Sequence, residues 1–488
     1  MAAEGDEGLS RLRFAAPTFG VAITVTAAGM AAGLVLFAAL QKVGAPGVIV
    51  PALAVGALIL FRYPALTMSL LLVGAVLFEP VDPGLLPTFN SFYVVIQSSL
   101  TPIDVLLFLG LAGVLFRFVI EGRRPRLPEP LTGPLILLGL ATLFGVITGY
   151  TSHAAVSNGD LYHRAMNDVY LILVPLLVVN VVRDRKALRL FVAVAAALAA
   201  VKGLSGAYAA LSGGGSQLTE ETISYLEPVP NLVMLTLILG TAAALVRRQP
   251  LPIWCTAGAA LSFLALLLSY RRSFWIAAAF TLVLVVIIAS RHRGRAVLVI
   301  GGVGLALTFV SVAAIGASGP TAKPLVKRAE QLSPAGIEAG RGDRYRIDER
   351  RNVIANIEDH PLTGIGLGVP WKVHTPLAES HDRRYVHFAL LWFWVELGPL
   401  GAIAYLALMG AGLWTARSVW RRHPDPIVQI GAIAAFGAIV GVMIVELTAA
   451  FTGIEARFSL VLAAGFGWLA AAWRDLPPPP GRLDAGPR

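Results

Sequence analysis

Charge is scarce in this chain. Only 14% of its 488 residues are Asp, Glu, Lys or Arg, against about 25% in average usage, and that shortage excludes an ordinary soluble domain. Cysteine is almost missing. Cys255 stands alone, which rules out an internal disulfide and any cysteine metal cluster; within its apolar run it reads as a small core residue. The pairing Asp-x-Asp, a common way of presenting carboxylates to a divalent ion, does not occur. What is abundant is apolar sequence: 56% of residues are hydrophobic and the mean hydropathy is +0.73. The apolar residues fall in runs of roughly 17–25, enough for a helix to cross the hydrocarbon core. The composition predicts an all-α polytopic membrane protein.

The runs give about fourteen candidate helices, near 15–40, 46–61, 64–80, 103–120, 131–150, 166–182, 190–211, 229–246, 253–269, 274–290, 296–316, 386–413, 427–446 and 456–473. The expectation is 12–14 spans, with the first uncleaved because its run exceeds a signal-peptide core. The run at 386–413 is too long for one span, and Pro399 is expected to break it. Arginines alternate between loops. One set carries Arg123, Arg124, Arg126, Arg183, Arg185, Arg189, Arg247, Arg248, Arg421, Arg422 and Arg474, while the other short loops hold little beyond Lys42, Arg164, Arg271, Arg272 and Arg457. Basic short loops stay cytoplasmic, so both termini are expected inside. The formal net charge of +10 is then a topology signal, and nucleic-acid binding has no support. The expected division is a bundle over 1–316, a long outer loop over 317–385, C-terminal membrane helices over 386–473 and a disordered cytoplasmic tail over 474–488.

The outer loop carries the candidate chemistry. Five arginines fall within residues 341–351. The stretch 343–357 reads as an amphipathic helix with Ile347, Val353, Ile354 and Ile357 on its apolar face, ended by His360-Pro361 and followed by a turn at Gly364-Ile365-Gly366-Leu367-Gly368. Arg346 and Arg350, four apart, are neighbours on its flank. As a group the arginines read as an anion clamp, since guanidinium matches phosphate oxygens; singly, each is also compatible with a solvated face laced by Asp348, Glu349 and Glu358. Arg271 and Arg272 lie on the side where basic residues are disfavoured, which points to ligand binding. His387 stands at the mouth of a membrane helix, and imidazole titrates near neutral pH, as a general base requires. Glu396 lies nine residues on, about 13.5 Å along a continuous helix, too far to orient that ring, and reads as structural. Glu79 and Glu446, near outer helix ends, read as snorkelling.

Together these residues resemble a known family. The block from Arg346 through His360-Pro361-Leu362-Thr363-Gly364-Ile365-Gly366-Leu367-Gly368, then His387-x8-Glu396-Leu397-Gly398-x-Leu400-Gly401, is similar to the signature of the O-antigen ligase/O-antigen polymerase family, and Arg271-Arg272-Ser273-Phe274-Trp275 resembles that family's Ser-Arg element. The resemblance spans residues 270–401. It departs at Phe388, where the family usually has Asn, and at Arg350, where an aromatic is common. The resemblance implies a GT-C-like glycosyltransferase of the bacterial cytoplasmic membrane. Its donor would be a glycan on a polyprenyl pyrophosphate such as undecaprenyl pyrophosphate, and its acceptor a lipid or glycan hydroxyl at the outer leaflet. Membrane lipids would surround it, and no cofactor is expected. On that reading Arg271, Arg272, Arg346 and Arg350 grip the pyrophosphate without metal, His387 takes the acceptor proton, and direct displacement inverts the anomeric centre. The alternative is a secondary transporter or flippase, which predicts internal repeats with matching broken helices; no convincing repeat is found.

Overall fold

The computed structural model describes residues 54–78, 100–122, 124–152, 156–211, 228–269, 271–290, 341–377 and 382–477. The chain divides into two compact units, Met1–Tyr63 and Pro64–Arg488. In the first, the described residues form the helix Ala54–Arg62. The second holds twelve helices among its described residues: α1 (Pro64–Leu77), α2 (Pro102–Glu121), α3 (Thr132–Thr151), α4 (Asn158–Val181), α5 (Arg185–Leu211), α6 (Pro228–Arg247), α7 (Ile253–Leu268), α8 (Arg272–Ala289), α9 (Arg341–Asp359), α10 (Ala389–Arg422), α11 (Pro426–Val445) and α12 (Ala456–Arg474). Nine are long and apolar enough to cross a membrane, namely α2 to α6, α8 and α10 to α12; α7 is apolar but has only 16 residues. This is a polytopic all-α membrane protein. The expected spans at 15–40 and 296–316, Glu79, the boundary at 316/317 and the tail beyond residue 477 lie outside the described residues.

The helix starts follow local chemistry. Thr101 and Asp104 form a reciprocal capping box before α2, with Pro102 in its first turn where the missing N–H costs nothing. Asp425 caps α11 and Glu455 caps α12 through their carboxylates. In the bundle, α4 packs on α12, α5 on α7, and α8 on α11, while α10 lies against α3 and α11.

The expected break in α10 is present, and its cause is local. A helical amide donates to the carbonyl four residues back, but residue 399 is proline and has no N–H to offer Val395. Gly398 turns aside at φ 69°, ψ −173°, and the amide of Ile365, from the glycine-rich turn, donates to the Val395 carbonyl at 2.7 Å. Glycine is required at 398 both for that φ and because a Cβ would sit 2.8 Å from the Leu362 carbonyl. The turn is pinned again when the Leu367 amide reaches the Gly145 carbonyl on α3 at 2.9 Å. The Gly368 amide donates to the buried Glu396 carboxylate at 2.6 Å. Arg164 approaches the other oxygen of Glu396 at 3.7 Å. Glu396 thus braces the turn.

Helix α9 forms where expected and ends before His360-Pro361, but its buried face differs from the apolar one predicted. Ile347 and Ile354 are exposed, whereas Tyr345, Glu349, Asn352, Val353, Asn356 and Ile357 are buried. The asparagines explain the choice. The Asn352 side-chain oxygen accepts from the amides of His374 and Thr375 at 2.6 and 2.8 Å, and its NH2 donates to the Thr375 carbonyl at 3.0 Å. Asn356 exchanges two 2.8 Å bonds with the backbone of Lys372. Each such bond contributes about 1 kcal/mol net, so the helix turns the side that can hold an extended segment inward, and two isoleucines stay out.

Candidate functional site

His387 lies two residues before α10, where several elements fix it. The Trp371 amide donates to the Arg383 carbonyl at 3.1 Å and the Ala389 amide to the Glu446 carbonyl at 3.1 Å. The Tyr385 hydroxyl donates to the Ala450 carbonyl at 3.0 Å, and Arg164 holds the Arg384 carbonyl at 2.9 Å. The segment 382–389 is therefore tied to α4, to the loop after α11 and to the loop that α9 clamps.

The partner of the imidazole is Glu349 of α9. His387 Nδ1 lies 3.0 Å from both carboxylate oxygens, and the His387 backbone amide donates to Oε2 at 2.9 Å. The Glu349 side chain is 2% exposed and that of His387 22%. Two tyrosines flank the ring edge-on: Tyr385 at 4.7 Å between centroids and Tyr345 at 5.8 Å. Burial pushes the Tyr385 hydroxyl above its ordinary pKa and the Glu349 carboxylate adds to the rise, while Arg346 and Arg271 oppose it. This places Arg271 in the electrostatic neighbourhood of the site.

Arg346, Glu349, Arg350, His387, Phe388, Leu391, Leu447 and Thr448 line a pocket with about 370 Å³ of empty volume. Of the residues singled out from the sequence, Arg346, Arg350 and His387 thus come together. Arg350 lies over the Phe388 ring at 5.1 Å, within cation–π range, and its guanidinium approaches the Leu447 carbonyl at 3.5 Å. The two positions at which the chain departs from the family pattern are therefore in contact. Arg271 and Arg272 do not line this pocket; they cap and open α8. Among the described residues, no three His, Cys, Asp or Glu side chains converge as metal ligands.

Two sequence readings need correction. Glu349, one of the acids that the solvated-face alternative would leave in water, is buried against His387. Glu446, read as snorkelling, is also buried. Its carboxylate accepts from the Tyr405 hydroxyl at 2.6 Å and the Thr452 amide at 2.7 Å, fixing the loop that carries Leu447 and Thr448.

Residues 257–406 match a family model described as O-antigen ligase. The matched stretch contains Arg271, Arg272, Arg346, Glu349, Arg350 and His387. No curated protein matches the chain.

Proposed function

We propose that this chain, whose residues 257–406 match a family model described as O-antigen ligase, moves a glycan from a polyprenyl pyrophosphate carrier to an acceptor hydroxyl at the outer face of the bacterial cytoplasmic membrane. The observation that carries the reading is the joint placement of His387, paired to a buried carboxylate, with Arg346 and Arg350 in one pocket. The two functions that glycan transfer needs, a base and an anion grip, are then adjacent.

The chemistry follows from the donor. A glycosyl pyrophosphate arrives already activated, so the protein need only stabilise the charge that builds on the leaving diphosphate and accept one proton. The acceptor oxygen attacks the anomeric carbon, the bond from that carbon to the pyrophosphate oxygen breaks, and the diphosphate departs on its carrier. The hydroxyl proton passes to His387. Attack opposite the leaving group inverts the anomeric centre. Arg346 and Arg350 hold the diphosphate, with Arg271 and Arg272 as outer contributors; fixed cations aimed at developing charge lower such a barrier without reorganising. The chemistry is proposed to be metal-independent and the architecture GT-C-like.

The sidedness rests on α10. At its N-terminal end lies His387; at its C-terminal end His423 contacts Asp475 at 3.1 Å, within the cluster of basic loops built around Arg185 and Arg189. Basic short loops belong on the cytoplasmic side, which supports reading the opposite end of α10, with the pocket, as facing outward.

The test is the lipid-linked and surface glycan profile of a deletion strain complemented with wild type or with His387→Ala. Single repeats accumulating on the carrier identify a polymerase, and full-length polymer stranded there identifies a ligase. His387→Ala is expected to lower transfer by about 10²–10⁴-fold while the purified variant still binds the carrier-linked glycan. Wild-type transfer by that variant would remove the base assignment. Transfer is expected to survive EDTA, and its loss would place a metal in the reaction.

A further inference from the structure

The contact between Glu349 and His387 determines more than where the ring sits. A carboxylate only accepts hydrogen bonds. Glu349 Oε2 already receives the His387 backbone amide at 2.9 Å, and both of its oxygens stand 3.0 Å from Nδ1. Against such a partner a neutral imidazole is stable with its proton on Nδ1, which leaves the lone pair on Nε2. The edge-on rings of Tyr345 and Tyr385 oppose the ring flip that would exchange the nitrogens.

The carboxylate is held in turn. Glu349 sits on α9 between Tyr345 and Asn352, one turn to either side, and all three are buried. The Asn352 bonds to residues 374 and 375 fix the rotation of that helix about its axis. The alignment is set by the fold, and a one-residue rotation of α9 would carry Glu349 away.

We propose that Glu349 is the positioning residue of this site: it holds His387 as the Nδ1–H tautomer and so makes Nε2 the atom that takes the proton from the acceptor hydroxyl. As the imidazolium forms, the carboxylate stabilises its charge while remaining ionised. The proposal rests on the reading of His387 as base, and it adds the identity of the basic atom and the residue that selects it.

Glutamine in place of Glu349 separates the possibilities, because it keeps the shape and changes the hydrogen-bond polarity. With its one carbonyl oxygen engaged by the His387 backbone amide, the NH2 of the glutamine faces Nδ1 as a donor and favours the Nε2–H tautomer. The experiment is ¹⁵N magic-angle-spinning NMR of histidine-labelled full-length protein in bilayers, above the histidine titration, with His387→Ala identifying the resonance. It is paired with the turnover of carrier-linked glycan extracted from the deletion strain. Wild type is expected to show Nδ1–H. Glu349→Gln is expected to show Nε2–H and to lose about 10²–10⁴-fold in turnover, with the Kd for the extracted donor changed less than about threefold, within roughly 0.7 kcal/mol. If Glu349→Gln does not fold, Glu349→Asp carries the test, since it retains the carboxylate and is expected to keep Nδ1–H with turnover partly restored. An Nε2–H wild type, an unmoved tautomer in Glu349→Gln, an Nε2–H tautomer in Glu349→Asp or undiminished turnover in Glu349→Gln would each overturn the proposal. The failure of the parent reading looks different: His387→Ala would then turn over normally, whatever the resonances of the Glu349 variants show.

Discussion

Arginines near the two ends of α10 meet different sets of partners. At the C-terminal end guanidinium groups are matched to protein acceptors: Arg185 to Asp475 at 2.8 Å, Arg189 to Asp425, Arg126 to the Arg183 carbonyl at 3.3 Å, Arg247 to Gln429 and Arg474 to Glu129 at 4.0 Å. These contacts lace together loops distant in sequence. At the N-terminal end Arg164 meets Glu396 at 3.7 Å, Arg384 meets Asp160 at 3.5 Å and Arg457 meets Glu455 at 2.7 Å, but Glu349 is engaged by His387 and, among the described residues, Arg350 pairs with no carboxylate. It rests on an aromatic face and keeps most of its donors. Even at this end most of these arginines are held by carboxylates, and Arg350, which lines the pocket, stands apart from them.

That contrast can be broken by experiment. The largest effect is expected from Arg346→Ala, which should weaken binding of the carrier-linked glycan about 10- to 100-fold, the value of a charge-assisted hydrogen bond. Isothermal titration of the purified protein in detergent reads it. An unchanged Kd would return Arg346 to the structural class.

At the other end the pattern should invert. Burial works to raise the pKa of Asp425, but the bond from Arg189 and those from the amides of Ile427 and Val428 outweigh it, and the net shift is downward. A carboxyl depressed in the folded state contributes stability that is fully present above its unfolded value, about 3.9, and is lost as pH falls through the lower folded value. Asp425→Ala should therefore cost about 1–2 kcal/mol at neutral pH, through the cap it removes from α11, and less in acid, with donor affinity unchanged. Unfolding scans from neutral pH down to about 2, which cross the unfolded value and run below it, follow it; an equal cost at both extremes would deny the ion its role.

The smallest effect concerns the rim. Arg350→Lys keeps the charge and loses the planar stack on Phe388, so affinity should fall only a few-fold, matching about 0.5–1 kcal/mol for an exposed cation–π contact. A loss as large as that of Arg346→Ala would make Arg350 a principal ligand to the diphosphate instead.

The membrane helices are legible in the sequence because hydropathy and length act locally: the spans predicted near 103–120, 229–246 and 427–446 coincide with helices to within a few residues. The break at Pro399 is legible for the same reason, since a missing N–H is a property of one residue. His387, Arg346 and Arg350 can be picked out from residue type and position. Glu349 cannot be separated from Asp348 and Glu358, because periodicity counts apolar residues and the buried face of α9 is built on Asn352 and Asn356. Those side chains are buried by hydrogen bonds to residues 372–375, a tertiary fact with no trace in the hydrophobic pattern. Glu446 escapes the sequence similarly, since its partner Tyr405 lies on another helix.

The proline at 399 has a consequence for kinetics. By withholding one amide it leaves the Val395 carbonyl as a docking point for Ile365, and the loop bearing the proposed base is thereby fastened to a membrane helix before any substrate arrives. Translational and rotational freedom at the reacting centre is surrendered once, during folding, and not at each encounter. On the proposed function the protein works like an anvil: the lipid-borne partners do the travelling, in the plane of the bilayer, and turnover should follow the fluidity of the surrounding lipid more closely than the mobility of the loop.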